Sequence, residues 1–144
     1  MSIQLFIMDS TYTICYISKA TPGLTQQDIE ELFKNTSNTN NSNKVSGFLL
    51  HSLDNFFQVL EGKESHLKNL FEKIQEDTRH SDIYEVYNKR TEHPVFLDYK
   101  SQFDIVKSPE DLKTIVNYLN QDISNSTNLK LKRLLKPFAM LGEF

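Results

Sequence analysis

One thiol, Cys15, is all that the 144 residues offer. It excludes an internal disulfide and any thiolate metal cluster, and its place between Ile14 and Tyr16 in a β-rich stretch reads as a packed side chain. The four histidines include no pair at ligand spacing, so metal chemistry is not expected. No apolar run reaches the length of a membrane span. The opening, Met1 to Asp9, lacks the basic segment and cleavage site of a secretory leader, so the expected location is the cytoplasm. Charge of one sign is not in excess either. A net charge of −3 and a pI near 5.8 offer no general attraction to nucleic acid or to an anionic membrane.

What is present fits one ordinary hydrophobic core with a tail: 38% of the residues are hydrophobic and 24% charged. The stretch Asn55-Phe56-Phe57-Gln58-Val59-Leu60-Glu61-Gly62 reads as a buried strand bounded by turns. Alternation puts Phe56, Gln58 and Leu60 on one face and Phe57 and Val59 on the other. An amide then points into an apolar layer. Its two donors and its acceptor have to be satisfied there, so a polar partner is expected opposite Gln58.

In chain order, Tyr12 to Ser18 is β-branched and aromatic and stops at the turn Thr21-Pro22-Gly23. Thr25 with Asp28 makes an approximate capping box for a first helix carrying Ile29, Leu32 and Phe33 on one face. That helix is expected to fray into 35–43, where five of nine residues are asparagine, a residue that bonds its own backbone and favours turns. A second strand runs from Lys44 to about His51, and Gly47 within it marks a close approach to the backbone. The Gln58 strand follows antiparallel to it. Leu67, Leu70, Phe71 and Ile74 mark a second helix ending near Asp77 to His80. Ile83 to Arg90 and Phe96 to Phe103 read as two further strands, joined across His93-Pro94.

The order β-α-β-β-α-β-β predicts an α+β, ferredoxin-like fold, an antiparallel-rich sheet with two helices on one face. A C-terminal helical pair follows. Ser108-Pro109-Glu110-Asp111 starts one helix, with Leu112, Ile115, Val116 and Leu119 as its apolar stripe. A shorter one, Leu129 to Lys136, is expected to stop at Pro137. The pair covers the opposite sheet face or makes a dimer contact. Its cations, Lys130, Lys132, Arg133 and Lys136, read as a solvated face rather than a nucleic-acid patch. The boundary expected from this reading lies between 1–104 and a helical extension, 105–144, within one compact unit.

Tyr16 shares parity with Ile14 and Ser18, so its phenol falls in the layer of the Gln58 amide if that face meets the two main helices. Singly, Tyr16 reads as a core tyrosine, Asn40 as one loop asparagine among five, and Arg79-His80 as cations at a helix end. Together the motifs resemble those of a known family. Phe56 to Gly62, then Ile74-Gln75-Glu76-Asp77-Thr78-Arg79-His80-Ser81, with Tyr16-Ile17-Ser18-Lys19-Ala20 upstream and Asn40 ahead of Val45-Ser46-Gly47, look like the BLUF family, the sensors of blue light using FAD. The likeness covers about Tyr12 to Phe103.

The resemblance implies a flavin held non-covalently between the two helices, FAD in the first place, with FMN or riboflavin as other candidates. It implies Tyr16 as the photoactive tyrosine, Gln58 as the switching glutamine, and Asn40, Arg79 and His80 along the flavin's pyrimidine edge. On the last strand, where the family often has tryptophan and then methionine, this chain has Tyr99 and Ser101. An aromatic is retained and a bulky thioether is replaced by a hydroxyl, so the output path or the dark-state lifetime is expected to differ. The stretch from Phe103 to Phe144 is too short for a nucleotide cyclase or phosphodiesterase domain, so the chain is expected to resemble short members that act on a separate protein, with self-association also expected. The alternatives are a flavin-binding module without photoswitching and, more remotely, a hydrolase of the acylphosphatase type. The latter needs an arginine early in the chain, and Thr21-Pro22-Gly23 offers none.

Overall fold

The computed structural model describes residues 10–91, 93–96, 103–121 and 126–144. Its elements run β1 (Thr11–Ala20), α1 (Gln26–Ser42), β2 (Ser46–Ser52), β3 (Asn55–Lys63), α2 (Glu64–Glu76), β4 (His80–Arg90), β5 (Phe103–Val106), α3 (Pro109–Leu119) and α4 (Ser126–Leu141). The strands form one sheet in the order β4-β1-β3-β2-β5, antiparallel except for the β2 and β5 pair. This is the ferredoxin-like α+β arrangement that the alternation predicts, extended by one parallel edge strand.

The sheet carries a core on each face. On one, Ile14, Tyr16, Phe56 and Leu60 meet Leu32 and Phe33 of α1 and Leu67 and Phe71 of α2. On the other, Phe48, Phe57 and Val59 meet Leu112, Ile115 and Leu119 of α3 and Leu131, Leu135 and Phe138 of α4. The C-terminal pair thus covers the face opposite the first two helices. Both faces being covered explains why β3 reads as a nearly continuous apolar run.

Two boundaries differ from expectation. The asparagine-rich segment is not a loop, since α1 continues to Ser42. Its amides are satisfied without leaving the helix: Asn43 Nδ2 donates to the Thr39 carbonyl (2.8 Å), and Asn41 Oδ1 accepts the Phe103 N–H (2.8 Å), tying α1 to β5. Burial of Leu32, Phe33 and Asn40 against the sheet outweighs the local preference for turns. Most of the strand expected over Phe96 to Phe103 lies outside the described residues; the last described strand is Phe103–Val106, at the sheet edge opposite β4. Pro137 does not end the last helix, which runs on to Leu141. Phe138 sits edge-on against Phe57 (5.9 Å between ring centroids), and this packing holds the turn that proline weakens.

The close approach expected at Gly47 is present. Its φ is +126°, and a Cβ there would stand 1.9 Å from the Val59 carbonyl oxygen of the paired strand. Gly47→Ala therefore forces β2 away from β3 beneath the first core. The expected loss is on the order of 3 kcal/mol, read as a lower urea midpoint at unchanged slope.

Candidate flavin site

The register of β1 against β3 sets Tyr16 directly opposite Gln58. Both are buried, at 3% exposure each, and the amide and phenol are hydrogen-bonded with 2.5 Å between Gln58 Nε2 and the Tyr16 hydroxyl oxygen. The polar partner that the buried glutamine requires is the tyrosine. Among the described residues Gln58 Oε1 has no hydrogen-bond partner, and it is buried. The Tyr16 ring is tilted against Phe71 (5.8 Å) and edge-on to His80 (5.9 Å). Burial pushes its phenol pKa upward against the opposing hydrogen bond from Gln58, so Tyr16 stays neutral through the physiological range.

Tyr16 and Gln58 face a cavity of about 210 Å³ between α1 and α2. Leu32, Leu49, Phe56, Leu70 and Ile74 give it apolar walls. Asn35, Thr36, Thr39 and Asn40 on α1, and Lys73, Asp77, Arg79 and His80 at the end of α2, give it a polar rim. Asn40 is brought here by the unexpected extra turns of α1, and it is 2% exposed. Apolar walls with a few placed polar groups are the usual form of a site for a flat heterocycle.

The rim is held by specific bonds. Asp77 accepts from Arg79 Nε (3.0 Å) and Nη2 (2.6 Å) and from the Arg79 backbone N–H (2.9 Å). The Arg79 guanidinium holds the Asp77 carboxyl below its ordinary range, and the carboxylate raises Arg79 in return. His80 bridges two elements: Nε2 lies 2.6 Å from the Ile74 carbonyl in α2, and Nδ1 lies 2.7 Å from the Ser18 hydroxyl in β1. A carbonyl only accepts, so Nε2 carries a proton, and in the neutral ring the Ser18 hydroxyl donates to Nδ1. The expected helix-end role of His80 is thus a direct bond to the last turn. Tyr99 and Ser101 lie outside the described residues.

Sequence reasoning did not assign roles to Asp77, Ser18 or Glu61. Asp77 stands two residues before Arg79, a spacing at which a short acid grips a following arginine. Glu61 is an acid inside an apolar run, which is itself a signal. Its buried carboxylate accepts from the Thr13 hydroxyl (3.1 Å) and from the backbone N–H groups of Val95 and Phe96 (2.8 Å each). Among the described residues, no group of three or more His, Cys, Asp or Glu side chains could hold a metal ion. No helix among them is long and apolar enough to cross a membrane.

Comparison with known proteins bears on the same residues. The family model "BLUF: Sensors of blue-light using FAD" matches residues 11–102. The chain belongs to the BLUF family. BLUF domains are blue-light sensors that use a flavin, and β1 to β4 with their cavity lie within the matched range. The photoactivated adenylate cyclase subunit beta of Euglena gracilis is 29% identical over 132 residues, 92% of this chain. The chain spans only 14% of that relative's length. Among solved structures, Klebsiella pneumoniae BlrP1 with FMN and cyclic diGMP superposes at a TM-score of 0.68 with 27% identity, over 91% of this chain and 35% of that one. BlrB, a BLUF protein in its dark state, superposes at 0.64 with 27% identity, over 88% of this chain and 95% of that one. The BLUF fold therefore covers nearly the whole length of this chain.

Burial raises the Glu61 carboxyl above its ordinary value of 4.5, opposed by its three donors. From 4.5 up to the raised value the native state binds more protons than the unfolded one, so this group lowers stability as pH rises through that window. Asp77 and Glu64, both lowered by their cationic partners, act at lower pH and with the opposite sign. Glu61→Gln is expected to abolish the fall of the unfolding midpoint just above pH 4.5 while leaving the acid limb unchanged.

Proposed function

We propose that this protein is a blue-light photoreceptor in which Tyr16 and Gln58 perform the switch and Asn40, Arg79 and His80 hold a flavin in the cavity between α1 and α2. The observation that carries the reading is the Tyr16 and Gln58 pair. One amide atom is engaged by a neutral phenol, and the other is buried without a hydrogen-bond partner among the described residues. An unpaired buried polar atom is costly unless a ligand completes it, and once the amide is turned so that its Nε2 donors point away from Tyr16, a flavin's nitrogen and carbonyl edge would accept from them.

The separation of 2.5 Å favours one orientation of the amide. It is below the usual range for N–H···O and at the short end of the range for O–H···O. With the amide turned by half a revolution, the Tyr16 hydroxyl donates to Oε1 and the Nε2 donors face the cavity. Both atoms are then used. Asn40, on the facing helix, supplies a donor and an acceptor for the other side of the ring system.

Bound flavin supplies a strong oxidant when it absorbs blue light. Tyr16, neutral in the dark, loses an electron, and the phenolic proton leaves with it because an oxidised phenol is a strong acid. Gln58 Oε1 is the group in contact to take that proton. Gln58 Nε2 would give an amide proton to the same acceptor in the cavity that took the Tyr16 electron, and return of that electron and a proton to Tyr16 would leave the side chain rotated or as its tautomer. No covalent bond to the cofactor forms, and the net charge of the site is unchanged. Reversal of the donor and acceptor pattern is the lasting difference, and it relaxes thermally.

FAD is the flavin favoured by the family, with FMN as second candidate. We assign the sensing unit to 1–104 and the output to the helical extension 105–144, which packs on the sheet face away from the cavity and acts on a separate protein or on a second copy of the chain. Tyr99 and Ser101 belong to the switch region. A flavin-binding module without switching remains the second reading, favoured by the serine at position 101.

Blue illumination of the flavin-loaded protein is expected to give a reversible red shift of the flavin absorption, lost in both Tyr16→Phe and Gln58→Leu. Yellow wild-type protein with no shift supports the second reading, and protein that takes up no flavin rejects both. Asn40→Ala is expected to weaken flavin binding about tenfold, the effect of one or two buried hydrogen bonds, measured by fluorescence titration.

A further inference from the structure

Glu61 closes the apolar run of β3, on the face away from the cavity, and is buried. A buried carboxylate costs free energy that a neutral side chain would not, so its presence is explained by what it holds. It holds a segment that is neither helix nor strand, Val95 and Phe96, through two successive backbone N–H groups, and through Thr13 it is anchored to β1. The same segment is gripped from the other side by α3. The Tyr118 hydroxyl donates to the Val95 carbonyl (2.6 Å), and the Tyr118 ring lies nearly parallel to that of Phe96, with 6.1 Å between centroids and 17° between planes. Phe96 stands edge-on to Phe48, which stacks on Phe57, the chain neighbour of Gln58.

Resting on the reading of Gln58 as the switching amide, we propose that Glu61 is a positioning residue that carries displacement of β3 to α3 through Val95, Phe96 and Tyr118. Gln58 and Glu61 stand on one strand and face opposite ways, so a shift of β3 that accompanies amide reversal moves the carboxylate with it. Hydrogen bonds to an ionised or strongly polarised carboxyl resist stretching better than apolar contacts do. Val95 and Phe96 follow the carboxylate, and Tyr118 follows them. Only hydrogen bonds are strained or exchanged along this route. No proton or electron leaves the flavin site. The light signal thus reaches the C-terminal helices through a side chain that never touches the flavin.

The test uses the full, flavin-loaded chain and two readouts on each sample: the light-minus-dark flavin spectrum, and the light-induced change in amide hydrogen exchange across α3. Tyr118→Phe keeps the ring and removes the hydroxyl; Glu61→Gln keeps the shape and sets an amide N–H₂ against backbone donors. Both variants are expected to retain a red shift of wild-type size, while the light-induced exchange change in α3 falls about threefold or more, as for loss of one coupling hydrogen bond. A merely structural role moves dark-state exchange instead and leaves the light-induced change at wild-type size. That result in Tyr118→Phe overturns the proposal, and so does a wild type that shifts its spectrum without any change in α3. If Glu61→Gln does not fold, Tyr118→Phe decides alone. A wild type with no red shift overturns the photoreceptor reading and this proposal with it, an outcome distinct from an intact spectrum with undisturbed coupling.

Discussion

The hydrogen bond between Gln58 and Tyr16 is the constraint to which the rest of the structure answers. A glutamine amide in an apolar layer is stable only when its polar atoms are used, and water has no place between β1 and β3. The register supplies the partner directly, since Tyr16 and Gln58 are cross-strand neighbours. A slip of one residue between β1 and β3 would turn one of the two side chains to the face covered by α3 and α4 and part the pair. The devices that fix the sheet therefore also fix the site. Gly47 lets β2 lie against β3, Thr13 bonds Glu61 across β1 and β3, and His80 ties β1 to the end of α2.

Alternation lets one strand serve two purposes. Phe56, Gln58 and Leu60 face the cavity and the first helix pair, while Phe57, Val59 and Glu61 face the second pair. A polar group stands on each side, and each is satisfied differently. The amide is half-satisfied by the protein and left to be completed by a ligand. The carboxylate is satisfied entirely from within, by three donors. The first arrangement permits change, and the second resists it. A sensor needs both on the same strand, because a group that changes partner transmits nothing unless something nearby refuses to.

Much of this was legible in the sequence because it depends on short-range rules. The parity of β3, the shared layer of Tyr16 and Gln58, the glycine at the β2 and β3 contact and the Ser108-Pro109 helix start each follow from periodicity or backbone chemistry acting within a few residues. What was not legible depends on distant partners. The asparagine-rich end of α1 is a turn by propensity and a helix by context, because Asn40 is buried and Asn41 finds a partner on β5 that no local rule contains. Pro137 reads as a stop until Phe138 is seen against Phe57. The position of β5 beside β2 is a matter of sheet order, which the run of residues before Phe103 does not encode. Asp77 does not stand out locally because its importance lies in Arg79, and a charge pair at that spacing looks like any other on a solvated turn.

The choice of glutamine at position 58 follows from the energetics of switching. Two states that interconvert thermally can differ by only a few kcal/mol. Leucine in this layer would have one state only. Glutamate would bring a second buried carboxyl into the first core, with its charge either uncompensated or neutralised by a proton, and the phenol beside it would be pushed further from ionisation. Asparagine is one methylene shorter, too short to keep both the phenol and a ligand beyond it within hydrogen-bond reach from the same backbone. Glutamine alone offers a donor and an acceptor of nearly equal size on one carbon, so reversing it conserves shape, charge and the number of bonds to Tyr16. What reversal changes is only which kind of atom faces the cavity. A difference that small keeps the core packed and is still read by whatever hydrogen-bonds at that edge.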